Sequence, residues 1–84
     1  MNKIEIKLPE DKTPTPRISD IVVNPFFKEG EDEINKYGKI FKKSKENVYV
    51  YFNNGSNASY FPIKKLKKLG TTKKSSRNVF YFVK

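Results

Sequence analysis

Eighty-four residues with a net charge of +9 and neither cysteine nor histidine leave a narrow range of chemistries. The chain has no disulfide, no thiolate nucleophile and no cysteine-held metal; it also lacks the commonest general base and zinc ligand, so an enzyme is not expected and no cofactor is implied. This length supports one small domain at most, with a thin core drawn from 36% hydrophobic residues, and seven Phe and five Tyr supply all the aromatics.

Residues 3–8 alternate, with Ile4, Ile6 and Leu8 on one face, which predicts a short half-buried strand ended by Pro9. Residues 9–17 (PEDKTPTPR) hold three prolines and no large apolar side chain. They read either as an extended surface arm or as a disordered leader. Ser19-Asp20 turns into a short strand, Ile21-Val22-Val23, which Asn24-Pro25 breaks. Phe26-Phe27 is expected to anchor the next loop on the core. Residues 28–33 (KEGEDE) bring Glu29, Glu31, Asp32 and Glu33 together, but their spacing matches no oxygen-ligand loop, and the reading is a solvated loop.

Residues 37–42 read as the second strand and 43–46 as a turn. Val48, Tyr49, Val50, Tyr51 and Phe52 carry the strongest strand signal, because each is β-branched or aromatic. Val48, Val50 and Phe52 fall on one face, Tyr49 and Tyr51 on the other. Asn54-Gly55 is a hairpin signal, and the returning strand covers roughly 58–61, stopped by Pro62. In residues 62–69 (PIKKLKKL), Ile63, Leu66 and Leu69 recur every third position, one stripe of a short 3₁₀ or α turn among lysines. It buries too little to hold a membrane surface. Residues 70–78 read as a second polar linker and 79–83 (VFYFV) as a closing strand.

These elements predict an all-β fold: a small barrel or curled sheet of about five short antiparallel strands with a 3₁₀ or short helical turn, and one candidate strand at each end. The layout is an N-terminal strand and proline-rich arm (1–17), a barrel (18–69), and a basic linker with a C-terminal strand (70–84). The terminal strands suit pairing with each other, addition to a barrel edge, or pairing across a homodimer. No apolar run approaches the ~20 residues of a membrane span, and charges interrupt the opening residues, unlike a signal peptide. The expectation is a cytoplasmic protein with no membrane partner. Lys, Asn, Ile, Phe and Tyr fill about half the chain, a bias that AT-rich coding sequence produces, as in a low-GC bacterium or its phage.

The order Asp20-Ile21-Val22-Val23, Gly38-Lys39-Ile40, Val48 to Phe52, Asn54-Gly55, and Phe61-Pro62-Ile63 with Leu66 resembles that of SH3-like barrels of the KOW and Tudor kind, over residues 20–69. The resemblance implies a small barrel of the sort found on helicases, transcription factors and ribosomal proteins. Its partners would be nucleic acid in some cases and protein in others. Tyr49 and Tyr51 could contribute to a Tudor-type aromatic cage, but the chain offers no complete one.

Charge divides along the chain: residues 1–34 carry −3 and residues 35–84 carry +12. Sixteen of the eighteen basic residues are Lys, which suits phosphate contact better than base-edge reading. Lys64, Lys65, Lys67 and Lys68, followed by Lys73, Lys74 and Arg77, either form a solubilising face or attract a polyanion. Two readings of Tyr49 and Tyr51 stand beside each other. In one they lie on a face with Lys39, Phe41, Lys42, Lys43 and Lys45, where rings stack on bases and ammonium groups meet phosphates. In the other the terminal strands cover them, with Phe80 and Phe82 as packing partners. The expected function is a non-enzymatic module that binds DNA or RNA. The alternative is a phage-like inhibitor or adaptor that binds a protein of a host nucleic-acid-processing complex.

Overall fold

The computed structural model describes residues 5–7, 14–52 and 57–84. Among them, seven strands form one mixed sheet in the order β1-β6-β7-β2-β3-β4-β5. The strands are β1 (Ile6–Lys7), β2 (Ile21–Val23), β3 (Tyr37–Lys43), β4 (Asn47–Phe52), β5 (Asn57–Pro62), β6 (Leu66–Thr72) and β7 (Asn78–Phe82). Two 3₁₀ turns, η1 (Glu33–Asn35) and η2 (Ile63–Lys65), are the only helical elements among the described residues. No helix there is long and apolar enough to cross a membrane. The fold is a small all-β one.

The sheet curls around a single core. Val22, Ile40, Val48, Val50, Phe52, Phe61, Leu66 and Phe80 are buried together, so every strand from β2 to β7 contributes, and Ile63 and Phe82 pack against the rim. Period-two alternation selects these residues: Val48, Val50 and Phe52 are the inward half of β4. The aromatic members meet edge-on or tilted, with ring centroids 6.2 Å apart for Phe52–Phe61 and 5.3 Å for Phe61–Phe82.

The largest departure from the expected antiparallel order is β7. It lies parallel to β2 (Ile21↔Val79, Val22↔Phe80) and antiparallel to β6 (Leu66↔Phe82 through Thr71↔Asn78). β1 pairs with the outer edge of β6 (Ile6↔Thr72, Lys7↔Thr71). Each terminal strand therefore joins the sheet of its own chain, and the two do not pair with each other.

Several local expectations are corrected. Of the PIKKLKKL stretch only Ile63–Lys65 is 3₁₀; Leu66, Lys67, Lys68 and Leu69 belong to β6. Eight residues cannot hold a helix alone, and the ladder to β7 satisfies the backbone as a strand. The expected linker after residue 70 shrinks to the turn between Thr72 and Asn78. Thr72 N–H donates to the Arg77 carbonyl (2.8 Å), and the Thr72 hydroxyl accepts from Arg77 N–H (3.0 Å). Phe26 does not anchor the core: it is 68% exposed. The Asn24 carboxamide oxygen accepts from Phe26 N–H (2.9 Å) and the Asn24 carbonyl from Phe27 N–H (3.3 Å), a tight turn that leaves the Phe26 ring outside. The proline-rich arm is not all surface, because Pro16 is fully buried. The chain then enters β2 through a turn in which Asp20 N–H donates to the Arg17 carbonyl (3.1 Å) and the Asp20 carboxylate accepts from Arg17 N–H (2.9 Å). Ser19 sits at φ 79°, the position of a type II turn that needs a positive φ. The Asn54-Gly55 hairpin turn lies outside the described residues.

Gly38 marks a close approach. A Cβ there would run into the Phe52 ring and the Tyr51 carbonyl oxygen. The "G-x-I" signature is thus a packing requirement: β4 can seat Phe52 in the core only where β3 has no side chain. Gly38→Ala should destabilise the protein by about 1–3 kcal/mol in urea unfolding, the usual cost of overpacking; an unchanged midpoint would contradict this account. Parity in β7 gives a second test. Phe80→Ala should cost about 3–5 kcal/mol, whereas Tyr81→Ala, with its ring 41% exposed, should cost under about 1 kcal/mol. Comparable losses would mean that the two faces of β7 are misassigned.

Candidate functional site

The candidate site is the outer face of β3-β4-β5, and register builds it. β3 and β4 pair as Lys39↔Tyr51, Ile40↔Val50, Lys42↔Tyr49 and Lys43↔Val48. The register slips between Ile40 and Lys42, so Phe41 is an extra residue, a β-bulge. Strict alternation from buried Ile40 would send Phe41 out and Lys42 in. The bulge keeps both on the Tyr49 side and leaves Lys43, at the exposed end of β3, opposite Val48. β4 and β5 pair without a slip, placing Tyr60 opposite Tyr49 and Ala58 opposite Tyr51.

Four rings result. Phe41 stacks on Tyr51 with centroids 3.8 Å apart and planes 18° from parallel. Tyr49 meets Phe41 edge-on at 6.5 Å and lies tilted against Tyr60 at 6.1 Å. Tyr51 is 42% exposed and Tyr60 64% exposed, while Phe41 and Tyr49 are half-buried beneath them. Lys42 Nζ sits 5.4 Å from the Tyr49 ring centroid, a cation–π contact worth about 0.5–1 kcal/mol at such a position. Lys39 is exposed on the same face. Tyr37, two residues before Lys39, shares that face and carries Lys36 Nζ 5.9 Å from its ring.

The terminal strands do not cover these rings. Phe80 is fully buried in the core on the other side of the sheet, and Phe82 packs against Phe61. The reading that assigned Phe80 and Phe82 to Tyr49 and Tyr51 is therefore corrected; the partners of Tyr49 and Tyr51 are Phe41 and Tyr60. Tyr60 was missed as a site residue. The signal was present, because a two-residue turn at Asn54-Gly55, counted outward, sets Tyr60 across from Tyr49.

The lysines divide into groups. Lys43 ends β3, Lys45 lies in the following turn, and Lys64 and Lys65 form η2. Ile63 N–H donates to the Glu46 carbonyl (2.8 Å), which ties η2 to that turn. These four exposed lysines therefore gather at the β3–β4 turn end of the sheet, with Lys43 opposite Val48 rather than Tyr49. Lys67 and Lys68 are on β6, opposite Tyr81 and Phe80, away from β3-β4-β5. Lys73 and Lys74 are exposed in the β6–β7 turn, where Lys73 Nζ lies 3.8 Å from the Glu5 carboxylate in an exposed pair worth little. Arg77 is half-buried and donates from Nη1 to the Ser19 carbonyl (3.0 Å), a contact that pins the turn before β2. The acids of the 28–33 loop are exposed; Glu31 accepts from Lys28 N–H (2.6 Å) and Asp32 from Ile34 N–H (3.2 Å).

The stacked pair also contributes to stability. Tyr51→Ala should lose about 0.5–1.5 kcal/mol of ring–ring interaction beyond area burial, while Lys39→Ala, one strand over in the same row, should shift stability by under about 0.5 kcal/mol. Urea unfolding of both variants checks this, and equal effects would show that the rings do not support each other. Compared with protein-family models, curated proteins and solved structures, this chain matches none.

Proposed function

We propose that this protein binds single-stranded nucleic acid on the outer face of β3-β4-β5. The observation that carries the reading is the four-ring cluster, with Tyr51 and Tyr60 open to solvent and lysines on and beside it. A ring in water gains by stacking on a base, and any base has a π face, so such a platform tolerates sequence. Bases in a duplex are stacked on one another and do not present their faces to a sheet; unpaired bases do. Lys39 and Lys42 are placed to meet phosphates beside the rings, and Lys43, Lys45, Lys64 and Lys65 continue the positive potential past one end. Lysine rather than arginine supplies almost all of this charge, which suits backbone contact without base-edge readout. The resemblance of residues 20–69 to SH3-like barrels of the KOW and Tudor kind is compatible with this reading and equally with a protein partner. The +12 carried by residues 35–84 raises the encounter rate with any polyanion.

Fluorescence anisotropy with labelled single-stranded and duplex oligonucleotides tests the proposal. Tyr51→Ala and Tyr60→Ala should each weaken single-strand binding about 5-fold or more, the loss of stacking on one base. If four lysines engage phosphates, affinity should fall about 50-fold between about 50 and 200 mM salt. No binding at the lowest salt, or full binding by folded Tyr variants, would reject the proposal.

A further inference from the structure

β5 is an edge of the sheet: β4 lies on one side, and no ladder forms on the other among the described residues. The parity of its free side can be worked out. Ile63 N–H donates to the Glu46 carbonyl. Bonding pairs in an antiparallel ladder recur every two residues, so Phe61, Ser59 and Asn57 bond toward β4. Ala58 and Tyr60 turn their N–H and C=O groups outward. Pro62 has no N–H to offer, which ends the free edge on that side. Apart from Pro62 at its end, the edge lacks the charged side chains that usually protect one: β5 has no charged residue, in a chain that is 32% charged.

Three features flank this edge. Phe26, 68% exposed, lines a cleft of about 370 Å³ with Ala58 and Ser59, so a large apolar ring stands uncovered beside the open strand. Glu31 lines the same cleft, which places the acidic 28–33 loop at the Asn57 end of β5. Lys64 and Lys65 directly follow Pro62 at the other end. The edge is therefore acidic at one end and basic at the other.

We infer that β5 is the contact strand of a symmetric homodimer, in which it pairs antiparallel with β5 of a second copy and sets each copy's acidic loop against the other's Lys64-Lys65 turn. Antiparallel pairing about a two-fold axis reverses the strand, so acidic and basic ends meet twice. A second copy fits because its β5 carries the complementary ends in the required order. The register that uses every outward group pairs Ala58 with Tyr60 of the second copy and Tyr60 with its Ala58, centred on Ser59, and forms four hydrogen bonds. Each exposed Tyr60 ring then packs beside the other copy's Ala58, and the two aromatic faces lie on the same side of one continuous sheet. One strand and two loop–turn contacts make a small interface, under about 1,200 Å² in total, so the dimer is a weak one in exchange with monomer.

Sedimentation of the full chain at increasing concentration tests the inference. The weight-average mass should climb toward twice the monomer value, and a chain that stays monomeric up to about 1 mM, beyond the range of weak specific pairs, would overturn it. Ala58→Pro removes an outward N–H and no bond to β4; it should abolish the concentration dependence while its circular dichroism remains that of the parent. Lys64→Glu with Lys65→Glu, and separately Glu31→Lys with Glu33→Lys, should each be monomeric because like charges now meet, and an equimolar mixture should dimerise. Undiminished self-association of the folded Ala58→Pro chain, or a mixture no more associated than its components, would refute the assignment. So would a wild-type chain that remains monomeric and instead takes up the strand of a different protein.

Discussion

Every side chain of β4 lies either in the core or on the aromatic face, because a strand has only two faces and this one has neighbours on both sides. Val48, Val50 and Phe52 fill the interior; Tyr49 and Tyr51 hold the platform. The two roles are mechanically coupled. A one-residue slip of β4 would bury two phenols and expose three large apolar side chains at once. Gly38 locks the register on one side by leaving space for Phe52 alone, and the unbroken β4–β5 ladder locks it on the other. The candidate site inherits its geometry from the least adjustable part of the core.

The bulge at Phe41 reconciles two demands on β3. Its first half must deliver Ile40 to the core, and its second half carries Lys42-Lys43. An uninterrupted alternation would set Lys42 opposite Val48; with the slip Lys43 takes that place, at the exposed end of the strand. One extra residue re-aims Lys42 over the Tyr49 ring, where its stem packs and its charge stays wet. The same slip places Phe41 flat against Tyr51. One slip in register thus assembles the surface.

Most of the sheet was legible in the sequence. Runs of β-branched and aromatic residues marked β2, β3, β4, β5 and β7, and punctuation by Asn24-Pro25 and Pro62 marked breaks that the structure keeps. β6 was not legible as a strand. It opens on LKKL, with leucines three residues apart, and only pairing with Phe82, Tyr81 and Phe80 makes it one. The parallel β2–β7 pair was invisible for the same reason, since nothing within either strand names a partner nearly sixty residues away. Phe26 was misread because hydrophobicity placed it inwards, while the Asn24 side chain closes a turn that leaves it out. Alternation set Tyr49 and Tyr51 on the outer face; of the two readings of their neighbours, the one with Phe80 and Phe82 fails because those rings pack with the core.

The ladders also differ in how much chain they close. β3, β4 and β5 are joined by short connections, so their pairing closes small loops. The β2–β7 ladder joins Ile21 to Val79 and closes nearly the whole described chain. Loop closure costs more entropy for the second than for the first. The aromatic face therefore belongs to the local meander, and Phe80 enters the core from outside it. Release of β7 alone would therefore open the core at Phe80 without breaking a ladder among β3, β4 and β5.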